Sequence, residues 1–192
     1  MRNATEGQFR AWSIAIRSSD REAFAALFQE MHDPLFRYAD YIVHDREAAA
    51  DLIQDVFTKV WQVRDTLDPE RSLKALLFQM VRNLSLNHER HKKRHRTEDL
   101  ESGLQVGSGE HPIEDILDAD TLSGQIERWI DSMPERRREA FLLSRREGLS
   151  HEEISNLMGL APKTVNNHIV LALQFIRGKL ETHRAERAIP GE

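Results

Sequence analysis

The stretch Glu101-Ser-Gly-Leu-Gln-Val-Gly-Ser-Gly-Glu-His-Pro112 limits what this chain can fold into more than any other. It holds three glycines, two serines and a proline, and no helical apolar stripe. Such a composition reads as a flexible linker, so no single core can run through it. The 192 residues therefore divide into two parts, each small enough to be marginally stable alone and to gain from a bound partner. The expected boundaries are a helical domain at 9–96, a linker at 97–120 and a second helical domain at 121–187.

On both sides of the linker, apolar residues recur at i, i+3 and i+4, the helical period. Aromatic residues are only 7% of the chain and β-branched runs are few, which disfavours strands. The expected fold class is all-α: two small helical domains joined by an acidic flexible linker, the C-terminal one a helix-turn-helix. No apolar run approaches the roughly 20 residues needed to span a bilayer. Residues 1–10 lack the apolar stretch of a signal peptide. A cytoplasmic protein without membrane insertion is expected.

Four helices are expected in the N-terminal part. Asp20 caps the first, with Ala23, Phe24, Leu27, Phe28 and Met31 on one face. Asp33-Pro34 reads as a cap plus a first-position proline opening a second helix, Leu35–Val43. Asp45 opens the third, through about Arg64, and Thr66–Arg71 is a loop. Ser72 caps the fourth, apolar at Leu73, Leu76/Leu77, Met80/Val81 and Leu84 and basic after Asn87, through about Arg96.

The C-terminal part carries sharper punctuation. Residues 121–132 are helical until Met133-Pro134, and Glu135–Glu147 follows until Gly148. Ser150-His-Glu-Glu153 is a capping box that starts a short helix ending at Gly159. Ala161-Pro162 opens a longer one, with Val165, Ile169, Ala172/Leu173, Ile176 and Leu180 at helical spacing and Val165 and Ile169 inward. A capped short helix, a glycine turn and a longer second helix form a helix-turn-helix. Lys163, Thr164, Asn166, Asn167 and His168 then occupy the positions that enter a DNA major groove. Asn pairs with adenine, Lys reaches guanine, and the Thr methyl packs on thymine. Arg136, Arg137, Arg138, Arg145 and Arg146 supply phosphate contacts around them.

Net charge is −5, which alone argues against nucleic acid. The distribution reverses that reading. Residues 97–124 hold eight acids and no Lys or Arg; without them 27 basic residues face 24 acidic ones. Besides the arginines of 136–146, a basic cluster comprises Arg90, Lys92, Lys93, Arg94 and Arg96. It fits either a helix laid on phosphates or a solvated helix end whose cations suit the dipole. Asp51, Gln54 and Asp55 share the face opposite Leu52/Val56. They fit either a solvated face or a surface that accepts bonds from a partner's arginines.

Enzyme motifs fail on inspection. No cysteine exists, so thiolate catalysis and Cys-ligated metals are excluded. His88-Glu-Arg-His91 is one residue short of the zinc-protease spacing, and the cations beside His88, His91 and His95 oppose a dication. Gly178-Lys179 lacks the P-loop's first glycine, position 173 being Leu. No cofactor is expected.

These parts together resemble the small two-domain sigma factors of bacterial RNA polymerase, the extracytoplasmic-function (ECF) group. Ala23-Phe24 through Tyr38, then Ala50-Asp-Leu-Ile-Gln-Asp-Val-Phe-Thr-Lys-Val-Trp61, is similar to that family's region 2. Val81-Arg-Asn83 and the basic run after it are similar to the promoter-melting end of that region. Met133-Pro-Glu-Arg-Arg, Glu147-Gly-Leu-Ser-His-Glu-Glu-Ile154 and Thr164-Val-Asn-Asn-His-Ile169 are similar to region 4.

The resemblance implies a factor that binds core polymerase, recognises a promoter and helps open it, without being an enzyme. Asp51, Gln54 and Asp55 would dock on the β′ clamp helices. The loop Arg64–Ser72 and the helix after it would read the −10 element, with Asn83, Asn87, Arg90, Lys92, Lys93 and Arg94 on the opened strand. Lys163, Thr164, Asn166, Asn167 and His168, with Arg136 and Arg137, would read the −35 element. The implied partners are the β and β′ subunits, promoter DNA and an anti-sigma factor. Leu76 departs from the family, many members of which have Trp or Tyr there. The acidic linker is either a tether or an imitation of nucleic acid in the polymerase cleft. The other reading of the whole is a helix-turn-helix activator with a helical dimerisation or sensing module.

Overall fold

The computed structural model describes residues 4–101 and 121–188, with side chains for 4–95 and 121–185. Among the described residues all regular structure is helical. It falls into two compact units, one holding α1–α4 and the other α5–α8. The acidic linker expected at 97–120 lies outside the described residues from 102 onward.

In the first unit, α1 spans Glu6–Arg17, α2 Arg21–Val43, α3 Arg46–Gln62 and α4 Leu73–Glu101, with one 3₁₀ turn at Arg64–Thr66. Helix α1 had no counterpart among the expected helices. Thr5 caps it by accepting from Gln8 N, and Phe9, Ser13 and Ile16 face the core. It closes in a Schellman turn, Ser19 N bonding Ile16 O at 2.9 Å and Asp20 N bonding Ala15 O at 3.1 Å. Asp20 then caps α2, accepting from Glu22 N and Ala23 N.

The expected break at Asp33-Pro34 is absent: α2 runs straight through Pro34. An interior proline costs a helix about 3 kcal/mol. The buried stripe Leu27, Met31, Leu35, Tyr38, Ala39, Val43 continues across it. Each large apolar side chain so buried contributes roughly 1.5–3 kcal/mol, enough together to outweigh the proline. Helix α2 ends instead at His44, whose backbone is left-handed at φ 51°.

Asp45 caps α3, which buries Ala49, Leu52, Ile53, Val56, Phe57 and Val60 against α2 and α4. Ser72 Oγ accepts from Ala75 N at the start of α4. The core side of α4 is Leu73, Leu77, Phe78, Val81 and Ser85. Leu76, expected in that stripe, is 38% exposed, whereas Phe78 is fully buried edge-on to Tyr38.

In the second unit, α5 spans Leu122–Asp131, α6 Glu135–Arg145, α7 His151–Met158 and α8 Pro162–Ala188. Ile130, Met133, Phe141 and Ala172 form a core cluster backed by Ile126, Leu142, Phe175 and Ile176. Leu143, Leu149, Ile154, Leu157, Val165 and Ile169 are buried too. Of the pair Ala172/Leu173, Ala172 is buried and Leu173 is 41% exposed. Arg146 Nη2 donates to Glu127 Oε1 at 2.9 Å and ties the end of α6 to α5.

Candidate protein and nucleic-acid interfaces

Three exposed surfaces gather the residues singled out by the sequence. The first is the helix-turn-helix of the second unit. Ser150 Oγ accepts from Glu153 N at 3.2 Å, and Ser150 N donates to Glu153 Oε2 at 2.7 Å, the reciprocal capping box. Gly159 closes α7 at φ 64°, a left-handed conformation that favours glycine. Ser155 Oγ donates to Leu160 O at 2.5 Å and fixes the turn. Val165 and Ile169 anchor α8 in the core. The opposite face presents Lys163, Thr164, Asn166 and Asn167 exposed, with His168 half-buried.

The arginines of α6 are not equivalent. Arg136 is exposed. Arg137 is half-buried, its Nε shut from solvent with no hydrogen-bond partner. Arg138 donates to Asp131 O at 2.8 Å, and Arg146 is held by Glu127. Arg136 and Lys163 thus stand open for phosphate, while Arg138 and Arg146 are engaged in holding the unit together.

The second surface lies on α4. Asn83, Asn87, Arg90 and Arg94 recur at four-, three- and four-residue steps, so they form one stripe, and all four are exposed. Arg90 Nη1 donates to Asn87 Oδ1 at 3.2 Å. Leu76 sits on the same stripe, seven residues before Asn83. Lys92, grouped with these residues in the sequence, points elsewhere: its Nζ lies 3.7 Å from Asp45 Oδ2 at the start of α3. Lys93 is exposed between the two directions.

The third surface is the polar face of α3, where Asp51, Gln54 and Asp55 are all exposed. Beside it lies a shallow depression lined by Asp45, Glu47, Ala48, Asp51, Leu52, Asp55 and His88. Four carboxylates around one leucine suit an arginine or lysine with an apolar stem. Asp45 and Glu47 did not emerge from the sequence as members of this surface. Asp45 read only as a cap, and His88 only as part of the basic cluster. The helical phase was the available signal: His88 follows Leu77, Val81 and Ser85 on the inner side of α4. Among the described residues no group of three His, Asp or Glu side chains is placed to hold a metal.

Comparison with known proteins gives two family matches in one order. Residues 27–95 match Sigma-70 region 2, and residues 123–176 match Sigma-70, region 4. Over 113 residues the chain is 33% identical to the ECF RNA polymerase sigma factor SigE of Mycolicibacterium smegmatis. That alignment takes in 58% of this chain and 44% of the relative, so the chain spans under half of that protein's length. Among solved structures, CnrH in complex with the cytosolic domain of CnrY matches at TM-score 0.61 and 20% identity, over 91% of this chain and 98% of that one. The sigma factor RpoE of Bartonella quintana, in complex with the anti-sigma factor NepR, matches at TM-score 0.58 and 24% identity, over 82% and 96%. These two likenesses establish the fold.

Proposed function

Since the chain belongs to the sigma-70 family, in its extracytoplasmic-function group, we propose that it binds core RNA polymerase, directs it to promoters with particular −10 and −35 elements, and promotes their opening. The observation that carries this reading is the separation of charge on the first unit. The acidic depression of Asp45, Glu47, Asp51 and Asp55 is distinct from the exposed stripe Asn83, Asn87, Arg90, Arg94. A carboxylate surface repels nucleic acid and accepts a basic protein. The amide and guanidinium stripe suits phosphates and unstacked bases.

In this reading Asp51, Gln54 and Asp55 dock on the β′ subunit. The loop Arg64–Ser72 and α4 capture the −10 strand, at an unstacking cost of a few kcal/mol recovered by contacts. Lys163, Thr164, Asn166, Asn167 and His168 read the −35 duplex, with Arg136 on phosphate. The domain for core polymerase and the −10 element is 9–96, and 121–187 is the −35 domain. An anti-sigma factor is the natural further partner, as NepR is for the solved RpoE of Bartonella quintana. The chain acts as an initiation factor in the cytoplasm rather than as an enzyme. Among the described residues no helix is long and apolar enough to cross a membrane.

The test is reconstitution. The purified chain added to core polymerase lacking other sigma factors is expected to co-purify with it and support run-off transcription from promoters selected out of a random library. No transcription until another sigma factor is supplied would favour an activator instead.

A further inference from the structure

The loop between α3 and α4 is fixed at three points. Leu67, only 4% exposed, plugs it into the core. The other two points are held from α1. Arg10 pairs with Glu70 across the surface. Arg64 Nε donates to Ser19 Oγ at 2.9 Å, in the turn that closes α1. Arg64 is held further by its Nη1 bond to Trp61 O at 2.7 Å and by its stacking over the Trp61 ring at 4.7 Å. Between these anchors Asp65, Thr66 and Asp68 stay exposed, as does Arg71 just after them.

Ser19 is unusual for its place. It occupies the C′ position of a Schellman turn at φ 64°, where glycine is favoured and a Cβ is strained. Nothing about closing the helix needs a serine there. The hydroxyl is used only toward Arg64 among the hydrogen bonds described. A strained residue whose side chain reaches a neighbouring loop points to a role for that contact.

We propose that Ser19, seconded by Arg10, is a positioning residue for base selection: it fixes Arg64 and thereby the segment Asp65–Ser72 in the geometry that captures an unstacked promoter base. The inference rests on the proposed role of that loop in reading the −10 element. Capture of a single base in a protein pocket demands placement to a fraction of an ångström, which an exposed loop lacks unless it is tied down. Helix α1 thus serves selection from a distance without touching DNA.

The test compares Ser19→Gly, Ser19→Asn and Ser19→Ala in the full chain bound to core polymerase. The readout is run-off transcription from promoters carrying each of the four bases at every −10 position. Glycine removes the strain and the acceptor. Asparagine tolerates the left-handed backbone and restores an acceptor. Ser19→Gly is expected to melt no lower than the parent, yet to flatten the base preference about two- to tenfold, the range of one lost hydrogen bond. Ser19→Asn is expected to restore preference, and Ser19→Ala to lose both preference and stability. Arg10→Ala is expected to flatten it less, its ion pair being exposed on both sides. A control, Asp65→Ala/Arg71→Ala, alters only exposed loop side chains. If the control flattens preference and Ser19→Gly does not, the loop reads bases and the positioning role is overturned. If neither does, both ideas fall. If Ser19→Gly and Ser19→Asn lose preference only in step with melting temperature, Ser19 is structural and the proposal is overturned.

Discussion

Lys92 Nζ and Asp45 Oδ2 lie 3.7 Å apart, linking the basic end of α4 to the cap of α3. The contact takes one cation out of the stripe that Asn83, Asn87, Arg90 and Arg94 form. Lys92 follows Asn83 by nine residues and stands about 180° round the helix from it. Lys92→Ala is therefore expected to leave promoter opening near the parental rate, while Arg90→Ala slows it severalfold. Stopped-flow fluorescence of a labelled −10 strand checks this. Equal losses for the two variants would place Lys92 on the DNA.

Charge reversal on the α3 face gives the complementary expectation. Asp55 is exposed, so Asp55→Arg removes no core packing. It puts a cation into the carboxylate depression that also contains Asp51 and Glu47. Core polymerase pull-down is expected to fall at least tenfold, with the helical circular dichroism unchanged. Normal pull-down by the folded variant would remove Asp55 from the docking surface.

Leu76 is exposed at the head of the α4 stripe, in line with Asn83. An aromatic ring there would stack on an unpaired base, a contact worth about 1–3 kcal/mol. Leu76→Trp is expected to speed opening at weak promoters without lowering the melting temperature, because no core space is taken. Unchanged opening rates would show that this end of the stripe lies off the DNA path.

How much of this was legible in the sequence depended on how local each signal is. The helix-turn-helix emerged complete because its determinants close within a few residues: Ser150 with Glu153, and Ser155 with Leu160 around Gly159. Helix α1 escaped because one of its three buried positions is Ser13, only 1% exposed, which no apolar pattern registers. Pro34 misled in the other direction, since a strong local stop signal yielded to a buried stripe on both sides of it. Leu76 reads as core and Phe78 goes unplaced because two adjacent apolar stripes run along α4, and only packing against Tyr38 selects between them. The cations after Asn87 formed one cluster by composition and two surfaces by helical phase. The acidic depression joins α3 to His88 of α4, a proximity that the sequence of either helix alone does not contain.

On the second unit, Asn166 and Asn167 are exposed at the start of α8 and Arg136 is exposed on α6. Asn167→Ala or Asn166→Ala is expected to relax selection at one or two −35 base pairs, a bidentate contact being worth about 1–3 kcal/mol. Arg136→Ala is expected to weaken all promoters alike and to reduce the salt slope of binding by about one. Arg137→Ala is a poorer probe, since that side chain is half-buried and its loss mixes packing with charge. Titrations of promoter variants at several salt concentrations separate these effects. Unchanged −35 ranking in both asparagine variants would move the recognition surface elsewhere on α8.

Pro34 offers a test of how α2 is held. It lacks an N–H, so the Glu30 carbonyl four residues earlier has no helical donor. The helix continues only because Met31 and Leu35 on either side are buried, at 2% and 0% exposure. Pro34→Ala restores the donor and removes the ring from the preceding turn. It is expected to stabilise the first unit by about 1–3 kcal/mol, less whatever packing the half-buried ring contributes. The rise is to be read as a higher urea midpoint at unchanged m-value. Leu35→Ala, by contrast, is expected to cost about 2–5 kcal/mol, because it opens a cavity under the same turn. A loss of stability in Pro34→Ala would show instead that the proline ring itself is part of the packing that carries α2 past residue 34.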